Sequence, residues 1–336
     1  VSNTIKNVAI HDLNRTKDGF AVGLGKKNQR ITSTMQRVID DLYSLYNSRS
    51  SKSHGIFSTV EEYATTQKNL AEYVKGGLKE FDQLTEKMME TLRVQAALKS
   101  ASIGGHVFFA LFERNAQQIL IVAIINDKLG AALTKDFSVS DIRHLDVDGF
   151  RFAGRINLTG WQAGDDRYIG FLKGKGDVSE YFRLFLGCDS TVQDRKDTAD
   201  LVRALKAFAD IQQMTGVARD DFLSKAKSIC EKAAASNEAI EFEALANELM
   251  PKSPEKLLES LTDSDLKLND GFIPDRRSLG SLVKFRARTK LWSVEFEREA
   301  LSGGKILYDA KAKTLTFTDL PADLTAELTS ETTADG

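Results

Sequence analysis

Between Gln118 and Asn126 the chain is apolar at every position from Ile119 to Ile125. A half-exposed strand alternates apolar and polar residues. A run that is apolar on both faces therefore predicts a strand lying centrally in a sheet that is covered on both sides. His106 to Arg114 has the same Val- and Phe-rich character, and Asn115-Ala116-Gln117 joins the two runs. The pair constrains the fold more than any other feature, because such a sheet needs apolar elements packed on both of its faces.

Helical periodicity supplies covering elements. Ile31, Met35, Val38, Ile39, Leu42 and Leu45 recur at helical spacing behind a Thr32–Thr34 cap region, and the polar run Asn47 to His54 ends that helix. Val60 to Leu98 reads as helix through Leu70, Phe81, Leu84, Met88 and Leu92, with Gly76-Gly77 splitting it, since each glycine costs about 1 kcal/mol in a helix. Its heptad-like spacing fits a dimeric coiled coil, but the stripe is wider than a coiled-coil seam, so a helix packed on a sheet is preferred.

Further strands are expected at Ile5–Ile10, Phe20–Leu24, Phe150–Leu158 and Tyr168–Leu172, with a helix from Val178 to Leu186. From Thr191 to about Leu268 the pattern is helical, with Ser253-Pro254 as a cap and first-turn pair. Strands return at Leu291–Phe296, Lys305–Tyr308 and Thr314–Phe317. The expected fold class is α+β: an N-terminal mixed α/β unit with a covered central sheet, then a helical segment and a small C-terminal β element. The boundaries expected are 1–187, 188–320, and an acidic tail over 321–336. Asp319, Asp323, Glu327, Glu331 and Asp335 lie in or next to this tail with no basic residue, so it should fray.

With 42% hydrophobic and 28% charged residues in 336, the chain buries a substantial core, which excludes global disorder. Cys188 and Cys230 lie far apart without a ligand pattern, as in a reducing compartment. The apolar runs are too short to span a membrane, and no signal sequence opens the chain. Val1 stands where Met is expected, which implies a processed or trimmed start. A cytoplasmic protein is the expectation. Net charge is −2 and the isoelectric point about 6.2. Basic DNA-binding domains usually exceed about 9, so a nucleic-acid partner would need a local patch.

One such patch exists. Arg276, Arg277, Lys284, Arg286, Arg288 and Lys290 are six cations in a stretch without an acid. Asp275 is a candidate N-cap there, and Leu279, Leu282 and Val283 share one face of a short helix opposite Arg276, Arg277 and Lys284. After Phe285 the cations fall at every second position, on one side of an extended strand that they share with Trp292, Val294 and Phe296. Arginine forks suit phosphate. The competing interpretation is a solvated face whose cations pair with Glu295, Glu297 or the acidic tail. A second cluster, Lys173, Lys175 and Arg183, surrounds Gly174 and Gly176 before a helix. It lacks the ending of a nucleotide-binding loop, and a tight strand-to-helix turn explains it as well.

Enzyme chemistry finds little support. Asp275 with Glu295 and Glu297 lacks the lysine of a nuclease carboxylate set. Asp146 and Asp148 beside His144 suit Mg²⁺ no better than a turn. His11, His54, His106 and His144 form no zinc spacing with either cysteine, so neither a metal nor a cofactor is expected. Trp161 and Trp292 are read as core or edge anchors rather than base-stacking platforms.

Several stretches, in order, carry a resemblance. They are His54-Gly-Ile-Phe-Ser58, His144-Leu-Asp-Val-Asp148, Arg155-Ile-Asn-Leu-Thr-Gly-Trp161 and Arg167-Tyr-Ile-Gly-Phe-Leu-Lys-Gly-Lys175. Phe272-Ile-Pro-Asp-Arg-Arg-Ser278 and Lys305-Ile-Leu-Tyr-Asp309 follow. Together they resemble the NdpA-type, YejK-like family of bacterial nucleoid-associated proteins over nearly the whole chain. The resemblance implies a cytoplasmic nucleoid protein that binds double-stranded DNA and also RNA, with topoisomerase IV as a protein partner; it brings no catalytic residues. A homodimer is a further expectation. The alternatives to DNA binding are a protein-interaction adaptor that modulates a DNA enzyme and, more remotely, a metal-dependent nuclease.

Overall fold

In a computed structural model of the chain, the two apolar runs are neighbouring strands of an eight-stranded antiparallel sheet. The structure describes residues 3–27, 29–99, 102, 104–173, 180–190 and 194–333. Backbone contacts divide the chain into two compact units. The first holds residues 1–193, 241–243 and 258–272, and the second holds 194–240, 244–257 and 273–336.

The first unit contains β1 (Thr4–Thr16), β2 (Gly19–Gly23), α1 (Ser33–Ser48), β3 (Lys52–Phe57), α2 (Thr65–Val74) and α3 (Phe81–Ala97). These are followed by β4 (Gly105–Arg114), β5 (Gln117–Ile125), β6 (Asp127–Leu133), β7 (Val139–Leu145), β8 (Phe152–Asn157) and α4 (Leu158–Ala163). The last are β9 (Ile169–Leu172), α5 (Glu180–Leu186) and β10 (Cys188–Asp189). The sheet order is β10-β3-β9-β8-β5-β4-β1-β2.

Alternate residues of β5 enter two separate cores. Leu120, Val122 and Ile124 pack with Phe81, Leu84, Met88 and Leu92 of α3 and with Phe182 and Phe185 of α5. Ile119, Ile121, Ala123 and Ile125 pack with Ile39, Leu42, Tyr43 and Tyr46 of α1. The sheet is thus covered on both faces, and the long Val60–Leu98 pattern resolves into core helices split at Gly76 (φ +78°), not a coiled coil. Gly154 of β8 needs its missing Cβ: one there would lie 2.5 Å from Leu186 Cδ1. A bulge between Ile5 and Asn7 of β1 shifts its phase, so Ile5 and Val8 reach the same core.

Three elements depart from expectation. The polar stretch before His54 is not only a helix end, because β3 begins at Lys52 and pairs with β9 and β10. β6 and β7 form a separate two-stranded ribbon that the sequence did not announce. It leaves Leu129, Leu133, Val139 and Ile142 exposed, with Phe137 at its turn 83% exposed.

The second unit contains α6 (Asp194–Ile211) and α7 (Gly216–Ser236). Parts of α8 (Phe242–Leu249) and α9 (Pro254–Thr262) belong to each unit. Then come α10 (Arg276–Leu279), β11 (Lys284–Arg288), β12 (Ser293–Glu297), α11 (Glu299–Ser302), β13 (Ile306–Asp309), β14 (Thr314–Phe317) and α12 (Ala322–Thr333). The chain is therefore α+β, as expected. The third departure is in the acidic tail, where Ala322–Thr333 form a helix. The Pro321 carbonyl accepts from the Thr325 amide at 3.0 Å, and Asp323 places negative charge at the helix start.

Candidate nucleic-acid interface

Asp275 caps α10 by accepting hydrogen bonds from the Ser278 amide (3.0 Å) and hydroxyl (2.7 Å). Those bonds hold its carboxyl below the usual range, with Arg195 and Arg277 adding charge attraction. The Asp275 amide donates to Thr198 Oγ1 of α6 at 2.8 Å, which fixes the helix start. Leu279, Leu282 and Val283 are buried, while Arg276 and Arg277 are exposed. The apolar face thus docks and the cations face solvent.

The remaining cations do not lie on one continuous strand. Thr289 closes a turn: its hydroxyl accepts from the amides of Leu291 (3.2 Å) and Trp292 (3.1 Å), and its own amide donates to the Trp292 carbonyl (2.8 Å). β11 and β12 consequently pair with Lys284 opposite Glu297, Arg286 opposite Glu295 and Arg288 opposite Ser293. This corrects the expectation that the cations share a side with Val294 and Phe296. Those two residues pair with Ala287 and Phe285 on the other face. Phe285 and Phe296 stack at 5.3 Å between ring centres, and Phe296 meets Phe317 edge-on at 6.5 Å. The Arg298 guanidinium lies 4.5 Å from the Phe285 ring centre, and its Nε donates to Asp220 of α7 at 3.2 Å.

The register neutralises part of the patch. Glu295 receives Lys284 at 3.0 Å and Arg286 Nη2 at 2.6 Å, and Lys284 also lies 3.5 Å from Glu297. Hydrogen bonds from Lys284 and Arg286 hold the Glu295 carboxyl below its ordinary range, and Glu295 raises Lys284 in turn. Among the described residues, Arg276, Arg277, Arg288 and Lys290 form no ion pair. Arg288 ends β11 and Lys290 lies within the exposed turn that follows, in which Leu291 is 95% and Trp292 55% exposed. Trp292 is therefore no core anchor. Trp161 is an edge anchor, partly buried against Phe57 with ring centres 5.1 Å apart.

The second cluster is engaged internally. Lys173 Nζ donates to the Asp270 carbonyl (3.0 Å), and Arg183 donates to the Cys188 carbonyl (2.8 Å). Lys175, with Gly174 and Gly176, lies outside the described residues.

Other cations in or near the family-like stretches are structural ties. Buried Lys52 donates to the carbonyls of Tyr46 (3.3 Å), Asn47 (2.5 Å) and Thr262 (2.5 Å). Burial, reinforced by Arg155, pulls its ammonium down to about 7. Arg155 reaches Tyr43 (3.1 Å) and Asp265 (3.6 Å), and Arg167 donates to the Lys267 carbonyl (3.0 Å). These contacts hold residues 258–272 within the first unit. Sequence reasoning could not find them, because the partners Thr262, Tyr43, Asp265 and Lys267 lie about 100 positions or more away. Burial also pushes the Cys188 and Cys230 thiols up to about 12, which suppresses thiolate chemistry. Among the described residues no group of three or more His, Cys, Asp or Glu side chains is placed to hold a metal.

Comparison with known proteins addresses the whole chain. A family model described as nucleoid-associated protein YejK matches residues 9–325. A nucleoid-associated protein of Pseudomonas fluorescens is 30% identical over 329 residues, covering 95% of this chain and 97% of its own. One from Pseudomonas syringae pv. tomato is 29% identical over 329 residues, with the same coverage. Another from Azotobacter vinelandii is 27% identical over 329 residues, covering 95% and 96%. No helix among the described residues is long and apolar enough to cross a membrane. Since both the family match and these alignments run through nearly the entire chain, the protein belongs to the family of the nucleoid-associated protein YejK.

Proposed function

We propose that this protein binds double-stranded DNA in the cytoplasmic nucleoid without catalysis, mainly through phosphate contacts and with little sequence readout. The observation that carries the reading is the set of exposed cations Arg276, Arg277, Arg288 and Lys290, which form no ion pair among the described residues while Lys284 and Arg286 are neutralised by Glu295. Such a patch attracts a polyanion despite a net charge of −2. RNA offers the same phosphates and competes for them. Lys173 and Arg183 are spent on backbone carbonyls and contribute less.

A gel-shift salt titration tests the reading. If the free cations each meet one phosphate, log affinity against log salt falls with a slope of about −3.6, shallower than the value near −5 for the whole six-cation segment. Reversing Arg276, Arg277, Arg288 and Lys290 to Glu should flatten the slope. Unchanged binding after that reversal removes the segment from the mechanism. Plasmid DNA left intact with Mg²⁺ or Mn²⁺ supports the absence of nuclease activity, whereas cleavage contradicts it.

The β6–β7 ribbon favours a second, compatible role as a protein-interaction surface. An isolated two-stranded ribbon is marginally stable in water, and this one exposes Leu129, Leu133, Phe137 and Val139. A second copy of the chain, forming a homodimer, is the partner proposed first; a DNA enzyme such as topoisomerase IV is the other. Sedimentation of the protein alone, then with the enzyme added, distinguishes them.

A further inference from the structure

The turn that joins β11 and β12 combines three properties. It carries two adjacent large apolar side chains, Leu291 and Trp292, at 95% and 55% exposure. The Thr289 hydrogen bonds lock its backbone, so these side chains are held out in water by a closed loop. Arg288 and Lys290, which both precede this pair on the β11 side of the turn, make no ion pair among the described residues, although the cations nearer the hairpin base do. Single exposed leucines are ordinary on protein surfaces. An adjacent apolar pair at a hydrogen-bonded tip, directly preceded by two cations without ion pairs among the described residues, is a different object.

We infer that Leu291 and Trp292 form a wedge that enters between DNA base pairs while Arg288 and Lys290 hold the flanking phosphates; the inference rests on the DNA-binding reading above. Proteins that kink duplexes push leucine-type side chains into a base step from the minor groove, and basic residues beside the wedge anchor the backbone. The ribbon itself is too wide for an undistorted minor groove about 6 Å across, so only the tip side chains would enter, the groove opening as the base step unstacks. Anchoring at the base, through Arg298 on Asp220 and the Phe285–Phe296 stack, lets the ribbon transmit force to its tip. Pyrimidine–purine steps unstack most readily, so the wedge should favour TA steps without reading bases.

The experiment uses the full chain and a short duplex carrying 2-aminopurine at TA steps, read by fluorescence and by anisotropy at low salt. Binding should raise the 2-aminopurine signal. Leu291→Ala with Trp292→Ala should abolish the rise and weaken binding about tenfold. Leu291→Ser, at a fully exposed position, gives a second variant whose folding is not in question. Arg288→Ala with Lys290→Ala should weaken binding and reduce its salt dependence. If the unsubstituted protein binds but the signal stays flat, or the Leu291 and Trp292 variants retain it, the wedge is overturned and the DNA reading stands. Absence of any duplex binding overturns both. Insertion of Trp292 into phosphatidylglycerol vesicles, seen as a blue-shifted emission, with no 2-aminopurine response to DNA, also overturns the wedge.

Discussion

Arg286 and Glu295 face each other across the β11–β12 hairpin, with Arg286 Nη2 2.6 Å and Nε 2.7 Å from the same carboxylate oxygen. The pair lies at the surface and contributes little to stability. Its consequence is electrostatic, because one carboxylate occupies two of the six cations in the basic segment.

Glu295→Gln should therefore strengthen binding to DNA. Arg286 becomes free to meet a phosphate, and the slope of log affinity against log salt should steepen by about one. Adding Glu297→Gln releases Lys284 and steepens it further, toward about −5. A salt titration by anisotropy reads both, and an unchanged slope would show that these cations do not reach the nucleic acid.

The ribbon formed by β6 and β7 leads to a prediction about assembly. Leu133→Asp with Phe137→Asp should shift the protein to monomer in sedimentation velocity without altering its circular dichroism, since both side chains are exposed. A wild-type protein that stays monomeric at tens of micromolar would sink the homodimer.

Lys52 should give folding stability a distinctive pH dependence. Its pKa falls from 10.5 to about 7 on folding, so between those values the unfolded chain holds the proton that the folded chain lacks. Stability therefore rises with pH across that window, by at most about 5 kcal/mol given the two pKa values. Urea titrations at about pH 7, 8.5 and 10 should show the rise in wild type and its loss in Lys52→Met. Equal pH slopes would mean that its three carbonyl acceptors keep the ammonium charged.

Ala116 sits at φ +59° beside Asn115 at φ +51°, in the two-residue turn between β4 and β5. Such a turn wants Asn-Gly, and a left-handed alanine costs about 1–2 kcal/mol. Ala116→Gly should stabilise the protein by about 0.5–1 kcal/mol after the entropy cost of glycine. A thermal melt that moves downward would contradict it.

Much of the first unit was legible because periodicity reports burial. The Ile119–Ile125 run announced a doubly covered strand, and the wide stripe from Phe81 to Leu92 announced a helix against a sheet. β3 was not legible, since Lys52, Ser53 and His54 are polar residues that are nonetheless buried, Lys52 held by three carbonyl acceptors and the His54 amide by Asn269, with no apolar alternation to mark the strand. The β6–β7 ribbon has no core to face, so nothing imposed a pattern on it.

The basic segment divides in the same way. Its cations, its Asp275 cap and the buried face of Leu279 and Leu282 follow from residue order alone, because helix geometry is local. Which cations remain free depends on one turn. By reversing the chain at Thr289, the fold sets Glu295 against Arg286 and leaves Arg288 and Lys290 beside an exposed Leu291 and Trp292. Lys52 and Thr262, 210 positions apart, make the same point in the core. Composition and spacing determine which charges and apolar faces exist; pairing register and long-range burial decide which of them are satisfied, since a charge is neutralised only by what the folded chain places beside it.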